Sequence, residues 1–134
     1  MSQVLQPPDW ARPKGYSNGI AARGGTTVYI AGQVGFNAKG VLEAKTFAGQ
    51  FRQTLSNTLA VLAEAGGKPE HIVRMTWYVT DKREYLGAIK EVGAAYRELI
   101  GRHYPAMAVV QVSALMEDAA RLEIETTAVI AEAG

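Results

Sequence analysis

Between Thr46 and Gly67 the apolar residues fall at helical spacing, and after the short link Lys68–His71 the period drops to two. Phe47, Phe51, Leu55, Leu59 and Leu62 share one face of a helix. Thr46 supplies the N-cap, and Gly66-Gly67 ends the helix where a left-handed residue is wanted. Gly49 costs the first turns about 1 kcal/mol relative to alanine without removing the pattern. The next segment, IVRMTWYVT, alternates Val73, Met75, Trp77 and Val79 with Arg74, Thr76 and Tyr78, which is the signature of a strand with one buried face. A chain that changes period in this way packs a helix against a sheet.

The same switch recurs downstream. REYLGAIKEVGAAYRELIG places Leu86, Ile89, Val92, Gly93, Tyr96 and Ile100 at helical spacing and closes on Gly101, which predicts one second helix. AMAVVQVSAL and RLEIETTAVIA follow as strands separated by MEDAA. Upstream, YSNGIAARGGTTVYIAGQVGF reads as two strands joined into a hairpin by Arg23-Gly24-Gly25. The predicted order is β-β-α-β-α-β-β, an α+β domain with one mixed sheet and both helices on one face. Pro7, Pro8 and Pro13 favour an extended arm over residues 1–14, leaving residues 15–134 as the domain.

The chain has 134 residues, 48% hydrophobic and 20% charged, enough to bury roughly 65–70% of its unfolded surface in one core. It contains no cysteine, so disulfides, thiolate catalysis and the usual zinc or iron–sulfur sites are excluded. A net charge of +1 with interspersed signs gives no footprint for nucleic acid or an anionic membrane. No run reaches the roughly 18 apolar residues of a membrane span, and the N-terminal residues carry no signal or transit pattern, so a cytoplasmic location is expected.

Side chains alternate along the last strand, so Leu122, Ile124, Thr126 and Ala128 share one face while Glu123, Glu125, Thr127 and Val129 share the other. In the preceding strand the two sets are Ala106, Ala108, Val110, Val112 and Met107, Val109, Gln111, Ser113. Placing Met107, Val109 and Gln111 beside Glu123 and Glu125 gives a surface too apolar for solvent and too polar for a core, which predicts an interface between subunits. A solvated glutamate pair is the plainer alternative on periodicity alone. In a water-poor interface Glu123 or Glu125 can serve as a general acid or base.

Other candidates are set aside. His71 and His103 lack metal-ligand spacing and are read as structural or surface groups, so no metal and no cofactor is expected. Ser17 in GYSNG has no strand-to-helix turn to make it a nucleophile. Trp77, Tyr78, Tyr85 and Tyr96 sit at core spacing and are read as packing groups.

Taken together, GYSNGI, VYIAGQVGF, LAEAGG, IVRMTWYVTD, YPAMAVVQV and LEIETTAVI resemble the Rid proteins, the reactive intermediate deaminases also called the YjgF or RidA family. The resemblance runs from Gly15 to Ile130 and is strongest at Ala31-Gly32-Gln33, Pro105-Ala106-Met107 and Glu123-Ile124-Glu125. It implies a chorismate-mutase-like fold, a homotrimer whose sheets form an inner barrel, and small-molecule clefts between subunits. It also implies hydrolysis of imines and enamines to ketone and ammonia. In that pattern Glu123 positions the water, Tyr16 lines the cleft, and Ala31 and Gly32 form the turn beside it, with Ala31 where the family has serine. Met107 and Val109 lie at the mouth of the cleft.

Met107 occupies the position of the arginine that grips a substrate carboxylate. Charge-assisted hydrogen bonds contribute about 1.5–3 kcal/mol each, so ordinary 2-imino acids are expected to be poor substrates unless Lys90, Arg102 or a neighbouring subunit supplies the charge. Two functions stay open: a divergent Rid-type hydrolase acting through Glu123, and a non-catalytic trimer that binds a small metabolite or a partner. The ribonuclease activity attached to the family by name has no basic or nucleolytic feature behind it in this sequence.

Overall fold

A computed structural model describes residues 2–132. Six strands and three helices follow one another as β1 (Ser2–Leu5), β2 (Gly19–Ala22), β3 (Thr26–Gln33), α1 (Phe47–Glu64), β4 (Ile72–Val79), α2 (Lys82–Gly87), α3 (Ile89–Leu99), β5 (Ala106–Gln111) and β6 (Leu122–Ile130). The main sheet runs β3-β6-β4-β5, with β4 and β5 parallel and the other pairs antiparallel. The parallel pair follows from the α2–α3 crossover, since parallel neighbours cannot be joined by a tight turn. The expected α+β class and mixed sheet are present.

Helix α1 starts and stops where the sequence indicates. Thr46 Oγ1 accepts the Gly49 N–H at 3.1 Å, and Gly66 takes φ +78° beyond the last turn. Its buried face carries Phe47, Phe51, Leu55 and Leu62 against Met75, Trp77, Val79, Leu122, Ile124 and Ala128 of the sheet. Each fully buried side chain of this size is worth roughly 1.5–3 kcal/mol, so this face holds the helix in place. The same face buries Gln50, whose Nε2 donates to Ala44 O and Ala119 O while its Oε1 accepts from Arg121 N at 2.8 Å. That bond fixes the chain two residues before Glu123.

Four expectations change. The glycine turn exists, with φ +64° at Gly24 and +71° at Gly25, but no ladder joins the strands on either side of it. β2 pairs with β1, and β3 pairs with β6. A Cβ on Gly25 would lie 1.9 Å from the Ile130 carbonyl oxygen, so the turn delivers β3 onto the end of β6 rather than back onto β2. Residues 2–5 of the expected arm are therefore a paired strand.

The single second helix is two, broken at Ala88, whose N–H bonds back to Glu84 O and Tyr85 O. The break shifts the helical phase. Val92 and Tyr96 are buried as expected, whereas Leu86 and Ile89 are exposed. In β4 it is Ile72, not Val73, that enters the core. The register against β6 slips between Ile72 and Arg74, and such a bulge moves the preceding residues to the opposite face.

The fourth change concerns β5. Met107 stands opposite Met75 and Val109 opposite Trp77, both on the helix-covered face, where Met107 and Val109 pack against the core. Glu123 and Glu125 stand opposite Tyr78 and Thr76 on the other face. The expected shared face of Met107, Val109 and Gln111 with the two glutamates does not exist within one chain. Register on the parallel β4–β5 pair decides this, and the uncharged β5 sequence carries no pattern strong enough to reveal it.

Candidate functional site

Two clusters hold the candidate residues, one at each edge of the sheet. At the β3 edge, Ile30 pairs with Thr126 and Gln33 with Ile124, so β3 carries one extra residue across Ala31-Gly32. This bulge re-aims the backbone, a device common beside functional sites. It brings Gly32 against the Glu123 carboxylate so closely that a Cβ at Gly32 would lie 2.1 Å from Oε2. Gln33 Nε2 closes the bend by donating to Ala31 O at 3.1 Å. Ala31 and Gly32 are exposed and Glu123 is half-buried, leaving one carboxylate held against main chain at an open sheet edge.

The neighbouring polar groups add charge to this face. Tyr78 donates its hydroxyl proton to Glu125 Oε1 at 2.5 Å, and Glu123 stands directly opposite Tyr78 in the ladder. The bond to Glu125 is the main reason the Tyr78 hydroxyl is pushed above the usual tyrosine range, and the charges of Glu125 and Glu123 push the same way. The predicted row of two carboxylates is real, with Glu125 tied to a tyrosine and Glu123 resting against a glycine.

At the β5 edge, Gly15 takes φ +79° and turns the chain so that Ser17 runs beside Ala106. Ser17 N–H donates to Pro105 O at 3.0 Å and Ser17 Oγ to Tyr104 O at 2.6 Å, which anchors Tyr16 next to the Pro105-Ala106-Met107 segment. Ser17 is thus structural, as the sequence indicates. His103 is too, with Nε2 2.6 Å from Ile72 O.

Met107 faces a cavity of about 270 Å³ between the sheet and helices α2 and α3. Trp77, Tyr85, Tyr96 and Tyr104 line it with Met107, and so does Arg97. Tyr96 stacks on Tyr104 with centroids 5.7 Å apart and donates to His103 O, while Trp77 meets Tyr85 edge-on at 6.3 Å. Of the groups read from sequence as packing groups, Trp77, Tyr85 and Tyr96 do pack and also enclose space, whereas Tyr78 stands on the other face of the sheet bonded to Glu125. Lys90 and Arg102, the two residues of this chain weighed as substitutes for the missing cation, are not among the residues lining this cavity. Arg97 is, and no spacing in the sequence distinguishes it from the other surface cations.

The two clusters do not meet within one chain. Ala31, Gly32 and Glu123 lie at the β3–β6 edge, Tyr16, Met107 and Val109 at the β5 edge, with β4 between. Two strand spacings of about 4.8 Å, and the thickness of the sheet, separate Glu123 from Met107.

Residues 10–130 match the family model described as endoribonuclease L-PSP. A RutC family protein of Pyrococcus horikoshii is 32% identical over 130 residues, covering 96% of this chain and 98% of that protein. The 2-iminobutanoate/2-iminopropanoate deaminase of Escherichia coli is 32% identical over 108 residues, 78% of this chain and 80% of the enzyme. Among solved structures, the Rid family protein YyfB of Yersinia pestis superposes with a TM-score of 0.83 at 33% identity, covering 96% of this chain and 98% of that one. The fold with two main helices on one face of the mixed sheet is the YjgF-like fold, and the chain belongs to the Rid family, whose model carries the name endoribonuclease L-PSP.

Proposed function

We propose that the protein is a divergent Rid-type hydrolase that converts a small imine or enamine to a ketone and ammonia, at a cleft completed by a neighbouring copy in a homotrimer. The contact of Gly32 with the Glu123 carboxylate carries the reading. A carboxylate held at a fixed place can accept a proton from water as the oxygen attacks the C=N carbon, then return it to nitrogen. The C–N bond of the resulting carbinolamine breaks, ammonia leaves, and the carbonyl forms, so one water is consumed per C=N bond. Similarity to deaminases acting on 2-iminobutanoate and 2-iminopropanoate supports this class of reaction.

The placement of the two clusters supports the composite cleft. A Glu123 half at one edge and a Met107 half at the other come together when the β3 edge of one copy meets the β5 edge of the next, as a closed ring requires. Small 2-imino acids bind weakly there because Met107 offers sulfur and apolar volume in place of a bidentate cation. That same residue favours the second reading, a trimer that binds a small metabolite without turning it over.

Imines generated in solution from a panel of amino acids test the proposal through ketone and ammonia release. Catalysis above background that disappears in Glu123→Ala is the expected result, with a solution mass near three times the 14.4 kDa chain. Equal rates in Glu123→Ala remove that residue from the mechanism, a monomer sinks the composite cleft, and no catalysis with any imine leaves the binding trimer.

A further inference from the structure

We infer that Arg97 is the anion-holding residue of the aromatic-walled cavity beside Met107, and that the cavity takes a small carboxylate with a flat aromatic body. The inference rests on the reading of this edge as part of the ligand cleft, and it names what that cleft selects. Size sets the first limit. A dry apolar cavity of about 150 Å³ already admits benzene, so about 270 Å³ accommodates a ring with a short carboxylate arm.

The wall chemistry sets the second. Trp77, Tyr85, Tyr96 and Tyr104 line the cavity, and aromatic rings favour a flat partner over a branched or strongly hydrated one. Trp77 lines the cavity and is 4% exposed, so its indole reports whether a ligand occupies that space.

Charge sets the third. Arg97 is the one cation lining the cavity, no carboxylate lines it, and among the described residues Arg97 makes no ion pair. Long helical side chains lean toward the N-terminus, and Arg97 Nη1 accordingly lies over Gly93, one turn earlier on α3, 3.7 Å from where a Cβ there would stand. A carboxylate there meets planar paired donors, whereas the corresponding neutral amide does not complete a charge-assisted pair.

The test is binding of phenylacetate to the full chain, followed by the Trp77 indole N–H resonance in ¹⁵N-labelled protein, with Trp10→Phe identifying the signal. Phenylacetate should shift that resonance and saturate. Arg97→Gln should weaken it tenfold or more, Arg97→Lys should recover part of the loss, and phenylacetamide should bind weakly with less than a twofold response to Arg97→Gln. Equal affinity of phenylacetate for wild type and Arg97→Gln, or no effect on Trp77, overturns the inference. Wild-type protein that binds phenylacetate in an Arg97-dependent way but turns over no imine marks a failure of the hydrolase reading alone. A failure of this inference shows as turnover without Arg97 dependence.

Discussion

Replacing Gly32 by alanine isolates the contact on which the proposed chemistry depends. Gly32 does not adopt a positive φ, so alanine introduces no backbone strain there. It introduces a methyl group 2.1 Å from Glu123 Oε2, 2.7 Å from Cδ and 3.0 Å from Cγ, where ordinary contact begins at 3.4 Å. The carboxylate must retreat by about 1.3 Å. Glu123 is half-buried, and the atom met first is the far end of its side chain, so the relief comes from rotation of that side chain and not from movement of β6. Stability should therefore change by less than about 0.5 kcal/mol, the usual range for a surface change. Catalysis is less forgiving, since a misplacement of about 1 Å costs on the order of 10²-fold, or about 2.7 kcal/mol of barrier. The assay is kcat/KM for the best imine of the panel, with a thermal midpoint measured alongside. A Gly32→Ala enzyme within threefold of wild type, folded and unchanged in midpoint, would refute the argument that this glycine places Glu123.

Two further outcomes follow from the other edge and from the core. Met107→Arg fills part of the cavity and adds a cation beside Arg97, so preference should move tenfold or more from aromatic toward small 2-imino acids in relative kcat/KM; an unchanged ratio shows that position 107 does not read the carboxylate. Tyr96 is buried, and burial pushes its hydroxyl well above the usual tyrosine range, with Tyr85 shifted the same way. The unfolded chain releases these protons near pH 10 while the folded chain keeps them, so this contribution is constant below about pH 10 and falls as pH rises beyond it. Urea midpoints at successive pH values should decline above pH 10, and Tyr96→Phe should remove about one proton's share of the slope; an identical slope shows that Tyr96 ionises normally.

Much of the fold was legible because burial and local chemistry agreed. Thr46, the Phe47–Leu62 stripe and Gly66 each specify the same helix, and the alternation of Leu122, Ile124, Thr126 and Ala128 survives unchanged in β6. The errors lie where partner choice, not local preference, decides the outcome. Gly24-Gly25 requires a reversal but cannot say which strand receives β3, and β6 wins because its end abuts the turn. Ala88 carries no breaker chemistry at all. The one weak point in that stretch is Gly87, the last residue of α2, where glycine costs a helix about 1 kcal/mol relative to alanine, and the period gives no sign of the break.

The site was half legible for a related reason. Glu123 could be placed on the outer face because β6 alternates sharply, but β5 reads AMAVVQ, apolar on both sides, so its facing was set only by pairing with β4. Once Met107 is opposite Met75 it belongs to the helix side of the sheet, and Glu123, opposite Tyr78, to the other. A residue that binds and a residue that activates water cannot act on one molecule from opposite faces of the same sheet. Under the proposed function the two segments therefore act together only across two copies of the chain. The residues around Met107 then need not supply a proton. In the proposed cleft their task is to hold the ligand, for which the aromatic side chains and Arg97 line the cavity.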